Sequence, residues 1–373
     1  FSAGPGLGVH GIGRFRLLSL DPFRLYLTPM NIDPVKPLAP VSHPFYFSVF
    51  LAKLMGRFTT LGLAEDTWAL NEKVLDEQGF LEQVALFQDE RERMLMEMLG
   101  RTEAGVLAVV FDATDRIQHM FMADHGKPER PNAGAVAQVY TDMDAMLGRL
   151  LERIKLGDKR TMLMVMSDHG FAPFERGVNV NTWLQEKGYL KLKEGQEQMG
   201  EYLQGVDWDR TQVYALGLSG IYINLQGREA RGTVSPEEAP ALRAKLKAEL
   251  EALRDPERED AVAIPRAFIT NKLYRGPFMD DAPDLILGYA RGYRASWDTA
   301  RGMAGPGVIE DNTRHWTGDH CMSPELVPGV LFTSQRVQIQ GAAMIDVAPT
   351  VLDLMGVAKP ANMTGRSLVK DAS

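Results

Sequence analysis

A single cysteine, Cys321, among 373 residues excludes an intramolecular disulfide framework and is compatible with a reducing compartment. Any bound metal must then rely on histidines and carboxylates. Positive charge is also scarce: 41 Lys and Arg stand against 49 Asp and Glu, giving a net charge of -8 and a pI near 5.5. That balance argues against a nucleic-acid-binding surface, which needs clustered cations to meet backbone phosphates. An anionic substrate would need a local cation instead. No apolar run reaches the ~18 residues of a membrane helix, since GVLAVVF and TMLMVM are only long enough for buried strands. Internal repeats and low-complexity tracts are absent as well. What remains, 45% hydrophobic and 24% charged, is a globular composition long enough for one large domain with an inserted subdomain. The sequence opens on Phe1 rather than Met, so an upstream segment is expected, together with any targeting signal it carries. The cytoplasm is the expected location.

Residues 1–10 are glycine-rich and read as linker, and RFRLLSL with FRLYLTPMNI, split by Asp21-Pro22, reads as a strand pair. Prolines 34, 37, 40 and 44 make an extended crossing. From Asp76 to Leu99 apolar residues recur at helical spacing up to a stop at Gly100. GVLAVVFD (105–112) is a continuous apolar run of the kind buried on both faces of a parallel sheet. A helix follows with Val136, Val139, Tyr140, Met143, Met146, Leu147, Leu150 and Ile154 on one face, and TMLMVMS (161–167) completes a βαβ unit. The fold class read from this pattern is α/β, a mostly parallel central sheet flanked by helices. Between 180 and 304 the pattern changes to short strands around a helix opened by Ser235, Pro236 and Glu238 in a capping box, an inserted α+β cap. The expected organisation is therefore 1–47 linker and strand pair, 48–179 first core part, 180–304 cap, and 305–373 second core part. That last part holds the strand GVLFTS and a helix over 343–355.

Three places put Asp and His at the end of an expected strand, the edge where open α/β sheets bind ligands. In DATDRIQH, Asp115 and His119 stand four apart and share a face if a helical turn starts there. TMLMVMS runs into Asp168-His169-Gly170, where the glycine lets the backbone turn. Gly318-Asp319-His320 lies just before GVLFTS. Sites of carboxylate and imidazole suit zinc first and manganese second, and two such ions roughly 4 Å apart can clamp a phosphoryl group.

These elements carry a resemblance. The order D-x-x-x-H, D-H-G, G-x-H is similar to the alkaline phosphatase superfamily. TLGLAEDTWALNE, DERERM, FDATDRIQHMF, MSDHGF, NVNTWLQEKGYL, IYINLQGRE and IDVAPTVLDLMGV resemble bacterial type I phosphodiesterase or phosphomutase proteins over residues 14–369. The resemblance implies an alkaline phosphatase-like fold in which Asp115, His119 and His320 hold one of two divalent metals, Asp168 and His169 the other. Asp112, which ends the strand itself, competes with Asp115, but the spacing to His119 and the resemblance favour Asp115. An acidic ligand and a Ser or Thr nucleophile are implied on an upstream segment. Nothing in residues 1–60 qualifies, so no nucleophile is named.

The implied activity is metal-dependent hydrolysis of phosphate mono- or diesters of a small phosphorylated substrate, through a covalent phosphoenzyme. Transfer to another hydroxyl of the substrate would make a phosphomutase. A chain lacking the upstream elements would be a non-catalytic metal- or anion-binding protein. Arg116, Arg314 and His315 are candidates for substrate contact. His10, His43 and His125 read as structural, Asp319 as a turn residue, Asp284 as a strand cap, and the 19 methionines as core filling.

Overall fold

The structure is a computed structural model, and it describes residues 2–4, 7–154, 156 and 160–369. Residues 1, 5 and 6 of the expected linker lie outside the described set; Ser2–Gly4 pairs with Leu7–Gly8. The elements used below, in chain order, are strands β1 (Phe15–Leu20) and β2 (Phe23–Leu27) and helices α1 (Glu77–Leu99), α2 (Ala113–Phe121) and α3 (Ala135–Leu151). Strands β3 (Met164–Met166), β4 (Ala172–Val178), β5 (Val213–Leu216) and β6 (Gly220–Ile223) follow, then helix α4 (Ala239–Glu251). Last come β7 (Arg266–Ile269), β8 (Leu285–Gly288), β9 (Gly292–Ala295), β10 (Ile309–Asp311), β11 (Gly318–Asp319), β12 (Leu331–Thr333) and helix α5 (Val347–Leu354). The chain divides into two compact units, one of Phe1–Asp168 with Val330–Ser373 and one of His169–Gly329. The expected insert at 180–304 falls wholly inside the second.

In the first unit, α1 starts where the Asp76 carboxylate accepts from Gly79 N at 2.7 Å, an N-cap that satisfies a donor the helix leaves open. Phe80, Val84, Phe87 and Leu95 are buried along one face at the expected spacing. Helix α3 buries Val136, Val139, Met146 and Leu150, while Tyr140 is exposed. β1 and β2 form the expected antiparallel pair.

The α/β class holds, but the ladders differ from a mostly parallel sheet. β3 pairs antiparallel with β12, and residues 106–112 belong to no strand or helix among the described residues. Leu107, Val109 and Phe111 pack against residues of α1 and α3, whereas Val106 and Val110 are 58% and 79% exposed. The run is thus half-buried on one face. Its period of 2 was invisible because both faces are apolar.

The second unit holds an extensive core among the described residues. β7, β8, β6 and β5 form an antiparallel sheet in that order, with α4 against β7. Ile221, Ile223, Leu246, Leu250 and Leu285 are fully buried there. The Ser235 and Glu238 side chains exchange capping bonds as expected, one turn before α4 begins. Asp284 is buried and ties strands together, accepting from Ile223 N at 2.8 Å and from Arg243 Nε at 2.8 Å.

The remaining sheet positions the chemistry. β4 has β9 on one edge, the one parallel pairing of named strands among the described residues, and β10 and β11 antiparallel on the other. In the β4–β11 ladder Ala172 faces Asp319. That register brings the D-H-G turn before β4 and the histidine after Asp319 to the same end of the strand pair.

Candidate metal centre

In the first unit the apolar run ends at Asp112, and α2 carries Asp115 in its first turn and His119 in its last. One helical turn brings Asp115 Oδ2 to 3.2 Å from His119 Nε2, with His119 2% exposed. Asp112 is committed elsewhere, since Arg91 Nη2 donates to its Oδ2 at 2.8 Å. Arg116 is buried rather than presented to solvent: its Nε lies 3.9 Å from Glu65 Oε2 and its Nη2 3.9 Å from Asp115 Oδ1. Arg91 Nη1 stands 3.7 Å from Glu65 Oε1. Burial pushes the Glu65 carboxyl above its ordinary value, against the pull of Arg91 and Arg116. Neither Glu65 oxygen has a hydrogen-bond partner among the described residues. Sequence reading did not single out Glu65, and an acidic residue in a turn-rich stretch gives no signal of burial.

Asp168 closes the first unit's continuous run and His169 opens the second. His169 Nδ1 lies 3.0 Å from the Gly170 carbonyl oxygen. A carbonyl only accepts, so Nδ1 carries the proton and the ring's lone pair is on Nε2, the tautomer fixed in many metal-ligating histidines. The His169 ring stacks on His320 with centroids 3.6 Å apart and planes 11° apart, and Phe171 packs against both at 5.5 and 5.4 Å. Gly170 is required by close approach rather than by an unusual turn: a Cβ there would lie 2.7 Å from the Pro328 carbonyl oxygen.

Asp319, His320 and Cys321 also bring ligand-type atoms within 4.8 Å of one another. The surroundings do not suit a metal. Asp319 Oδ1 accepts from the backbone N–H groups of His320 and Cys321, both at 2.8 Å. Its Oδ2 accepts from Trp316 Nε1 at 2.8 Å and pairs with Arg294 Nε at 2.8 Å. Burial, with Asp319 alongside, pushes the Cys321 thiol up to about 12, so it stays protonated near neutral pH. Asp319 is therefore a buried support rather than a simple turn residue. Arg314 lies over the Trp297 ring at 5.3 Å, and His315 is half-buried beside it in the turn leading to β11.

The donors that suit an ion are thus carboxylate and imidazole, with one imidazole tautomer set by the backbone. That chemistry fits zinc or manganese better than an all-oxygen site would. An α/β chain with these acid and histidine elements in this order falls in the alkaline phosphatase superfamily of metal-dependent phosphoesterases and phosphomutases. Within it, the chain belongs to the type I phosphodiesterase / nucleotide pyrophosphatase family, whose profile matches residues 44–315.

Shorter stretches are similar to curated proteins named 2,3-bisphosphoglycerate-independent phosphoglycerate mutase. One from Picosynechococcus sp. is 36% identical over 75 residues, covering 17% of this chain and 14% of the relative. One from Metamycoplasma hominis is 30% identical over 95 residues, 25% of this chain and 18% of the relative. One from Listeria welshimeri is 52% identical over 42 residues, 11% and 8%. The matched stretches thus span less than a fifth of each mutase. The crystal structure of alkaline phosphatase PafA superposes with a TM-score of 0.40 at 15% identity, covering 78% of this chain and 53% of that one.

Proposed function

We propose that the chain is the metal-binding part of a phosphoric ester hydrolase acting on mono- or diesters of a small phosphorylated substrate. The observation that carries this reading is the pairing of half-buried Asp115 with buried His119, 3.2 Å apart, in a member of the type I phosphodiesterase family. Asp115 and His119 from α2, Asp168, and the stacked His169 and His320 are the metal ligands of the proposal. Zinc is the first choice and manganese the second. When bound, two such ions neutralise charge on the phosphoryl group and stabilise attacking and leaving oxygens.

The chain's own residues orient these donors. The Gly170 carbonyl fixes the His169 tautomer, and Arg91 engages the competing carboxylate of Asp112. Arg314, with His315 beside it, supplies the local cation that a protein of net charge -8 needs for an anionic substrate. The nucleophile of the proposal is a Ser or Thr on an upstream segment.

A phosphomutase is the second reading, favoured by the names of the curated relatives. The two are separated by assaying the full-length protein, supplied with zinc or manganese, on p-nitrophenyl phosphate, bis-p-nitrophenyl phosphate and 3-phosphoglycerate. Metal-dependent release of p-nitrophenol, abolished by EDTA, is expected. Movement of phosphate within phosphoglycerate, followed by 31P NMR without release of inorganic phosphate, would replace hydrolase by mutase. No turnover of any of the three by metal-loaded protein would count against both.

A further inference from the structure

We infer that Asp319 and Arg294 are positioning residues that fix the direction in which His320 is presented to a metal, an inference that rests on His320 being a ligand. Arg294 lies on β9, 3% exposed, with its guanidinium carbon 5.0 Å from the Phe174 ring centroid and 4.3 Å from that of Trp297. Two aromatic faces hold a planar cation in one plane at little further entropic cost. Arg294 Nε meets Asp319 Oδ2 at 2.8 Å, and Trp316 Nε1 donates to the same oxygen at 2.8 Å. Trp316 is itself set edge-on against Trp297, with centroids 5.8 Å apart.

The other carboxylate oxygen does the orienting. Asp319 Oδ1 accepts from both His320 N and Cys321 N at 2.8 Å, which fixes the backbone on either side of the His320 Cα. The ladder between Asp319 and Ala172 fixes the preceding residue as well. His320 is therefore clamped from its N-terminal side by a strand and from its own amide by a buried carboxylate. A side chain can be aimed only as well as its backbone is held. Three hydrogen bonds and one ion pair occupy this carboxylate, so its function is to hold the residue that follows. The cost of burying a charged pair is offset here by these hydrogen bonds and by the aromatic walls.

The test uses the purified chain and zinc alone, read as dissociation constant and stoichiometry by calorimetry, with far-UV circular dichroism and Tm as controls for folding. Asp319→Asn keeps one oxygen for the backbone N–H groups but places an amide NH2 against Arg294 and Trp316. Loss of a supporting group of this kind is expected to weaken zinc binding by roughly 10- to 100-fold. Trp316→Phe removes one donor and leaves the charge pair; a weakening of a few-fold with unchanged circular dichroism is expected. The second variant keeps the proposal open to test should Asp319→Asn fail to fold.

A purely structural role would lower Tm in both variants while leaving the zinc affinity of the folded protein unchanged. That result in Trp316→Phe, or in folded Asp319→Asn, would overturn the inference. Failure of the underlying reading looks different: wild type itself would bind no zinc, or His320→Ala would bind as wild type does.

Discussion

Asp112 and Asp115 are three positions apart, and their partners separate their roles. Arg91 engages Asp112 at 2.8 Å, while Asp115 faces the buried His119 imidazole at 3.2 Å. On that basis Asp115→Asn is expected to lower zinc affinity by about 10-fold or more, as removal of a charged ligand does. Asp112→Asn should leave zinc affinity near wild type and lower stability by about 1–3 kcal/mol through loss of a charge-assisted bond. Parallel zinc titrations and urea melts of the two variants check this, and the reverse pattern would exchange the assignments. The i, i+4 spacing of Asp115 and His119 was legible in the sequence because a helix makes neighbours of such positions. The grouping of Glu65, Arg91 and Arg116 around them was not, since these residues come from a bend, from α1 and from α2. Asp319 was underread for the same reason: its partner Arg294 lies 25 positions earlier, inside the buried strand GYRA. Arg294 is buried in a strand whose four residues are all buried, a placement that the charged side chain itself does not announce in the sequence.

At the scale of elements, helices with one apolar face were readable and strand pairing was not. α1 and α3 form where periodicity places them, and of the face expected on α3 Val136, Val139, Met146 and Leu150 are buried while Tyr140 is exposed; the expected helix at 343–355 appears as a short 3-10 turn followed by α5. The run at 105–112 shows the limit. Hydrophobicity reports burial, whereas ladders depend on partners far away in sequence, so an apolar run packed on one side reads like one packed on two.

The start of α5 gives a pH-dependent prediction. Asp346 accepts from Ala343 N at 3.0 Å and from Arg366 N at 2.8 Å, and the bonds from Arg366 and Ala343 hold its carboxyl below the usual carboxylate range. A depressed folded value means that the stabilisation is complete above the ordinary carboxylate pKa and is lost as pH falls through the lowered one. Asp346→Asn should therefore reduce Tm at neutral pH, and the gap from wild type should close as the solution is acidified into that range. A gap independent of pH would show that the carboxylate's charge is not what joins the start of α5 to the segment at Arg366.

On the scale of the whole molecule, each compact unit carries residues of the proposal, Asp115, His119 and Asp168 lying in the first and His169 and His320 in the second. The α/β class and the superfamily were legible because short motifs fell in a fixed order at the ends of apolar runs. Among the described residues no helix is long and apolar enough to cross a membrane, in keeping with the absence of such a run in the sequence. The antiparallel sheet of the second unit was foreshadowed only as a change to short strands.

The central claim is that acid and imidazole side chains from these separate motifs hold metal, and elemental analysis tests it most directly. Purified wild type, His119→Ala and His320→Ala, each given excess zinc and then desalted, are compared by inductively coupled plasma mass spectrometry. The account predicts about one equivalent of zinc or more on wild type, with loss in both variants while their circular dichroism is unchanged. Zinc at background in folded wild type, or retained equally by all three proteins, would contradict it.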